Sequence, residues 1–170
     1  MKISIVIPVF NGARTLPHLV EEIVCCFENI EFEIILVNDG SEDNSEEVCE
    51  NLTAAYSQVH FLSLRRNFGE HNAVLCGLNF ATGDLIATID DDFQNPPSEI
   101  LKLVAEAKKD YDVVYSRYHQ KRHSRFRNLG SALNNAAASL LLRKPRGLYL
   151  SSFRIMKREI ANEIIKYRGP

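Results

Sequence analysis

Ile89-Asp90-Asp91-Asp92-Phe93-Gln94-Asn95-Pro96-Pro97 is the stretch on which the reading of this chain turns. The apolar residues 85–89 feed straight into three carboxylates, and two prolines end any strand before a helical pattern opens at Ser98. In an open α/β sheet ligands bind at the carboxyl ends of the strands. Clustered oxygen donors at such a place suit a hard divalent cation and the phosphates it carries. Taken alone, the same run is an ordinary solvated turn, because Asp is a common turn and N-cap residue. The flanking sequence has to decide.

On the N-terminal side, short buried-type strands alternate with amphipathic helices. Residues 3–10, 32–37 and 59–64 are mostly β-branched or apolar and read as strands, as do 85–89 and 111–115. Between them the helical spacing covers about 15–28, 46–56, 70–81 and 98–109, with Thr15 as the expected N-cap of the first helix and Gly83 as the expected C′ residue of the third. Strict alternation of this kind predicts an α/β fold: a Rossmann-like, mostly parallel central sheet with helices on both faces.

Composition agrees and removes some partners. A chain of 170 residues, 45% hydrophobic and 25% charged, has the size and make-up of one globular domain. The formal net charge of -2 gives no global attraction to nucleic acid, so none is expected as a partner. Cys25, Cys26, Cys49 and Cys76 include no C-x-x-C pair and are expected as reduced thiols of a cytoplasmic-side protein. No apolar run approaches the ~20 residues of a membrane helix.

Past Ser116 the character changes. Arg117, Lys121, Arg122, Arg125 and Arg127, with His119 and His123, form a basic segment, and a helix is expected over 124–142. Arg127, Ser131 and Asn134 fall on one polar face of it. The segment reads equally as a solvated helix face or as a surface for an anionic membrane. A strand over 148–156 and a helix over 158–166 follow, and the ending in Gly169-Pro170 suggests a piece of a longer chain.

Three polar loops follow three of the strands: Asn11-Gly12-Ala13-Arg14, Asn38-Asp39-Gly40-Ser41 and the three acids. A doubly wound sheet opens all three on one edge. Neither the P-loop pattern nor a G-x-G-x-x-G after the first strand is present, which argues against those two nucleotide-binding classes. Val6-Ile7-Pro8-Val9-Phe10-Asn11, Val37-Asn38-Asp39-Gly40-Ser41 with Asp43, Arg66-Asn67-Phe68-Gly69 and Asp90-Asp91-Asp92-Phe93-Gln94-Asn95-Pro96-Pro97 together resemble the family 2 glycosyltransferases of GT-A fold. The likeness is strongest to the branch acting on polyprenyl phosphates such as dolichol or undecaprenyl phosphate, and it runs through nearly the whole chain.

That resemblance implies a hexosyltransferase-type enzyme. It would move a sugar, with inversion, from a nucleoside-diphosphate sugar to a polyprenyl phosphate or other lipid-linked acceptor. By the same resemblance Pro8, Phe10, Asn11, Asp39, Asn67 and Asp90 bind the donor nucleotide. Asp90, Asp92 and Gln94 hold Mg²⁺ or Mn²⁺, Asp90 and Asp92 being the catalytic pair. On a strand the Asp91 side chain would point opposite to those of Asp90 and Asp92, which makes it the expected spectator. Arg127 and Ser131, one helical turn apart, correspond to the pair that grips the acceptor phosphate. Residues 1–117 would then be the nucleotide-sugar-binding core and 118–170 the acceptor-side segment of the same domain, cut short at its C-terminus. The longer chain would associate with a membrane surface.

One departure from the family pattern carries chemistry. Where many relatives read Gly-Asp-Phe-Arg, this chain reads Ser151-Ser152-Phe153-Arg154, with no carboxylate at Ser152. A sugar hydroxyl is a poor nucleophile and needs a general base, whereas a phosphate oxygen is already anionic. The missing acid therefore favours a lipid-phosphate acceptor. The rival reading from another class is a non-catalytic nucleotide-sugar-binding or degenerate transferase module.

Overall fold

The structure, a computed structural model, describes residues 1–116 and 151–166. The chain divides into two units, one of Met1–Val114 with Ser152–Pro170 and the other of Tyr115–Ser151. The helix expected over 124–142, and with it Arg127 and Ser131, lies outside the described residues.

β1 (Ile3–Val9), α1 (Leu16–Cys26), β2 (Phe32–Asn38), α2 (Ser45–Ala55), β3 (Val59–Ser63), α3 (Glu70–Phe80), β4 (Leu85–Thr88), α4 (Ser98–Ala107) and β5 (Val113–Tyr115) alternate as the sequence predicts, and β6 (Arg154–Lys157) and α5 (Arg158–Lys166) follow. The six strands make one sheet in the order β3-β2-β1-β4-β6-β5. β1 pairs in parallel with β2 and β4, β2 pairs in parallel with β3, and β6 runs antiparallel to β4. The fold is the expected mixed α/β, mostly parallel sheet.

Helices cover both faces, which is why β1 and β2 are buried along their whole length. Side chains alternate across the sheet. Ile3, Ile5, Ile7 and Val9 therefore meet Leu19 and Ile23 of α1 and Ile100 and Leu103 of α4 in one layer. Val6, Ile35, Val37 and Ile86 meet Ala73, Val74 and Leu78 of α3 and Ala161 of α5 in the other. α3 packs tightly on the sheet at Gly77, where a Cβ would stand 2.4 Å from Val6 Cγ1.

Two predicted helix caps take other roles. The Thr15 hydroxyl makes no capping bond to α1 and donates instead to the Gly12 carbonyl at 3.1 Å. Gly83 is not a left-handed C′ residue. α3 ends at Phe80 with Ala81 extended, and Gly83 lies where β1 passes so closely that a Cβ would be 2.6 Å from the Ser4 nitrogen. The same edge of the sheet holds a buried carboxylate. Glu33 accepts hydrogen bonds from Lys2 Nζ, Ser4 Oγ and the Thr82 backbone N–H, each at 2.6 Å. Arg158, at the start of α5, donates from Nε to the Gly83 carbonyl at 3.0 Å and from a second nitrogen to the Ala81 carbonyl.

Candidate functional site

The opposite edge, where β1, β2 and β4 end, opens into a cleft of about 330 Å³. Pro8 and Val9 line it from β1 and Phe10 from just beyond, Asp39 from just after β2, Asn67, Gly69 and Glu70 from the approach to α3, and Asp90, Asp91 and Asp92 from beyond β4. Side chains far apart in sequence converge because parallel strands place all their following loops on one side.

Those loops are bonded to one another. Asn11, in the left-handed region at φ 55, donates its backbone N–H to Ser41 Oγ at 3.0 Å, and its side-chain oxygen accepts the Glu42 N–H at 2.8 Å. Gly12 N–H reaches Ser45 Oγ at 3.0 Å, and Ala13 N–H reaches Asp43 Oδ2 at 3.3 Å. Asp39 is 2% exposed and its carboxylate bridges to the loop before α3, Oδ1 accepting the Phe68 N–H at 2.7 Å and Oδ2 the Gly69 N–H at 2.9 Å. Gly40 permits that approach: it sits at φ 65, and a Cβ on it would lie 2.5 Å from the Arg66 carbonyl carbon.

The acids sit in contrasting settings. Asp90 Oδ2 accepts the Ser152 hydroxyl at 2.6 Å. Burial raises the Asp90 carboxyl above the usual range and Asp92 adds to this, while the Ser152 bond opposes it. Asp92 takes the Gln94 backbone N–H on Oδ1 at 3.0 Å and the Gln94 side-chain amide on Oδ2. Phe93 holds the turn at φ 57, with its ring 5.2 Å from that of His18 on α1. β4 ends at Thr88, so strand alternation does not extend to Asp91, a residue that lines the same cleft as Asp90 and Asp92. Burial pushes the Asp91 carboxyl up to about 6, helped by the charge of Asp92 and opposed by the backbone of Phe10. Glu70 is raised as well, by burial first and by Asp90 and Asp92 next, with His71 and Arg154 acting against this.

Of the residues expected at the site, Pro8, Phe10, Asp39, Asn67, Asp90 and Asp92 line the cleft. Asn11 is set in the joint between the first two loops, and Gln94 is bonded to Asp92. Glu70, Asp91 and Ser152 were not singled out as site groups. Glu70 had a legible signal, being an acid in the first turn of a helix that follows a motif loop. The Ser152 contact has none, because it depends on β6 lying beside β4.

The oxygen-donor set of Asp90, Asp92 and Gln94 fits a hard divalent ion, and so does the crowding that raises Asp90, Asp91 and Glu70 together. Among the described residues no three His, Cys, Asp or Glu side chains are arranged to hold an ion by themselves. An ion here would have to share its shell with a ligand. Also among the described residues, no helix is long and apolar enough to cross a membrane.

Known proteins with this arrangement are numerous. The chain is 39% identical over 169 residues to an undecaprenyl-phosphate 4-deoxy-4-formamido-L-arabinose transferase of Proteus mirabilis, covering 97% of this chain and 52% of that protein. The chain thus spans about half the length of this curated relative. Among solved structures it superposes on the Mycobacterium tuberculosis glucosyl-3-phosphoglycerate synthase with Mn²⁺, UDP-glucose and glycerol 3-phosphate. That likeness has a TM-score of 0.72 and 20% identity, over 94% of this chain and 57% of the other. It also superposes on a Pyrobaculum calidifontis mannosyltransferase with GDP-mannose and Mn²⁺, at a TM-score of 0.65 and 16% identity, over 95% of this chain and 46% of the other. At such identities the structural likenesses speak for the fold, which is GT-A. The glycosyl transferase family 2 model matches residues 4–165, so strands, helices and cleft all fall within the match, and the chain belongs to glycosyl transferase family 2.

Proposed function

We propose that this chain carries the donor-binding part of a metal-dependent, inverting glycosyltransferase. Its donor is a nucleoside-diphosphate sugar, and its acceptor is a polyprenyl phosphate or another lipid-linked group. The observation that carries this reading is the cleft itself: three acids face an apolar wall of Pro8, Val9 and Phe10 across the strand ends. Family membership supports sugar transfer, the Proteus relative's name supports the acceptor class, and the neighbours' Mn²⁺ and nucleotides support the donor.

In this reading Asp90 and Asp92 hold Mg²⁺ or Mn²⁺, with Gln94 beside them. When bound, the ion neutralises charge gathering on the departing nucleoside diphosphate. Pro8 and Phe10 supply flat apolar contact for the nucleoside. Asp39 acts by fixing the backbone of Phe68 and Gly69, which keeps Asn67 and Glu70 at the cleft. Ser152 is no proton acceptor at neutral pH. Its hydroxyl is committed to Asp90, and a phosphate acceptor, already anionic, asks for no base there. Arg127 and Ser131 are proposed as the acceptor-phosphate pair, and a lipid-linked acceptor would bring the reaction to a membrane surface.

The test is titration of UDP and GDP with and without Mn²⁺, followed by transfer assays on undecaprenyl phosphate and on free sugars. Asp92→Ala should abolish metal-dependent nucleotide binding and leave the melting temperature within a few degrees, since the side chain is on a loop. Transfer to a free sugar hydroxyl alone refutes the acceptor class, and unchanged metal dependence in Asp92→Ala refutes the donor site.

A further inference from the structure

We propose that Ser152 is a positioning residue for Asp90: it takes up Oδ2 and leaves Oδ1 as the oxygen that meets the donor's metal ion. This rests on the donor reading above and adds to the acid cluster a support from a distant part of the chain. Asp90 stands two residues past the end of β4, beyond the bond from the Ile89 N–H to the Val6 carbonyl at 3.2 Å that extends the pairing with β1. Among the described residues its carboxylate makes one hydrogen bond, Oδ2 accepting the Ser152 hydroxyl at 2.6 Å, and Asp90 lines the cleft. Without that bond the side chain is free to turn about χ1.

Ser152 is itself held from two sides. The hydroxyl of Thr88, the last residue of β4, donates to the Ser152 carbonyl, and Thr88 is 2% exposed. On the other side Phe153 is 1% exposed and packs in the layer of α1 and α4. Thr88 is also the residue that pairs with Arg154 in the register of β4 with β6. Two side-chain bonds thus run in series across the strand ends: Thr88 fixes the Ser152 backbone, and the Ser152 hydroxyl fixes Asp90. A hydroxyl suits the task because it donates, whereas a carboxylate at residue 152 could only accept at neutral pH. Groups bonded to a metal ligand set its orientation, and losing one typically costs about 10- to 100-fold in metal affinity.

Ser152→Ala, Thr88→Val and the double variant of the full chain test this. The first measurement, made without any ligand, is the set of three-bond couplings of the Asp90 side chain. They should report one χ1 well in the wild type and averaging in Ser152→Ala. The second is Mn²⁺ binding in the presence of saturating UDP or GDP, followed by electron paramagnetic resonance of the free ion. Ser152→Ala should weaken it about tenfold. Thr88→Val should weaken it about threefold in the wild-type background and no further in Ser152→Ala, because the Thr88 hydroxyl acts through Ser152. An averaged Asp90 rotamer in the wild type overturns the proposal, as does an unchanged rotamer or an unchanged Mn²⁺ affinity in Ser152→Ala. An equal loss from Thr88→Val in both backgrounds overturns the series from Thr88 to Asp90. A wild-type chain that binds no Mn²⁺ with either nucleotide defeats the donor reading instead, and the Asp90 couplings then judge the support alone.

Discussion

Glu33 should make a measurable part of this protein's stability disappear in acid. Its side chain is 4% exposed and sits at the edge of the sheet away from the cleft. Burial by itself would raise its pKa, but hydrogen bonds from Lys2, Ser4 and Thr82 outweigh burial and bring it from 4.5 down to about 2. A carboxyl whose folded pKa is depressed gives stability that is fully present above the unfolded value and is lost as pH falls toward the folded one. The window is therefore pH 4.5 down to 2. Each pKa unit corresponds to about 1.4 kcal/mol, which sets an upper figure of about 3 kcal/mol, and screening at the partly exposed Lys2 brings it nearer to about 2 kcal/mol. Glu33→Gln removes the charge and keeps the shape. At pH 7 it should melt about 4–8 °C below wild type for a chain of this size. The informative measurement is the difference between the two proteins, by denaturant titration at several pH values, because every other titrating group is common to both. The difference should be constant above pH 5 and shrink steadily below it. A gap that stays the same from pH 7 to pH 3 would refute the argument, since the charged bonds would then carry none of the stability.

Three further outcomes are expected elsewhere. Gly77→Ala should gain about 1 kcal/mol of helix propensity but lose about 1–3 kcal/mol to overpacking. The new methyl meets Val6 at 2.4 Å, and Val6 is fully buried in the middle of the sheet. Net destabilisation is expected, and a double cycle with Val6→Ala should show less than additive loss. Asp39→Asn replaces one of two carboxylate acceptors with a donor facing a backbone N–H. It should cost about 1.5–3 kcal/mol in denaturant unfolding and weaken UDP or GDP binding through the displaced loop. Arg158→Lys gives up the forked donation to the Gly83 and Ala81 carbonyls, and should speed amide exchange across α5 while leaving the strands of the cleft protected.

The sequence was legible wherever local pattern and final structure obey the same rule. Buried apolar runs gave β1, β2 and β4, and helical spacing gave α1 to α4, because side-chain periodicity is a local property. The strand-end loops followed from parallel topology, so the meeting of Asp39 with Asp90 and Asp92 in one cleft could be expected. Capping was less legible. Thr15 and Gly83 have the right residue types for caps, yet tertiary contacts with Gly12 and with β1 claim them. Strand alternation says nothing about Asp91, because β4 has already ended at Thr88. The contact between Ser152 and Asp90 spans 62 residues and rests on an antiparallel strand whose neighbours no local signal names.

That strand has a consequence for how the protein is made. β6 lies between β4 and β5, although among the described strands it comes after both of them in the chain. Until residues 154–157 arrive, β4 carries an open edge among the described strands, and β5 lacks its described neighbour in the sheet. Such an edge is a ready template for pairing with another chain. The nascent domain therefore has a vulnerable interval, ended by a segment that also delivers Ser152 to Asp90. A chain stalled or cut before that point would lack the interior strand and one partner of the acid cluster at once. Its aggregation and its loss of the cleft should appear together, as two readings of one late insertion.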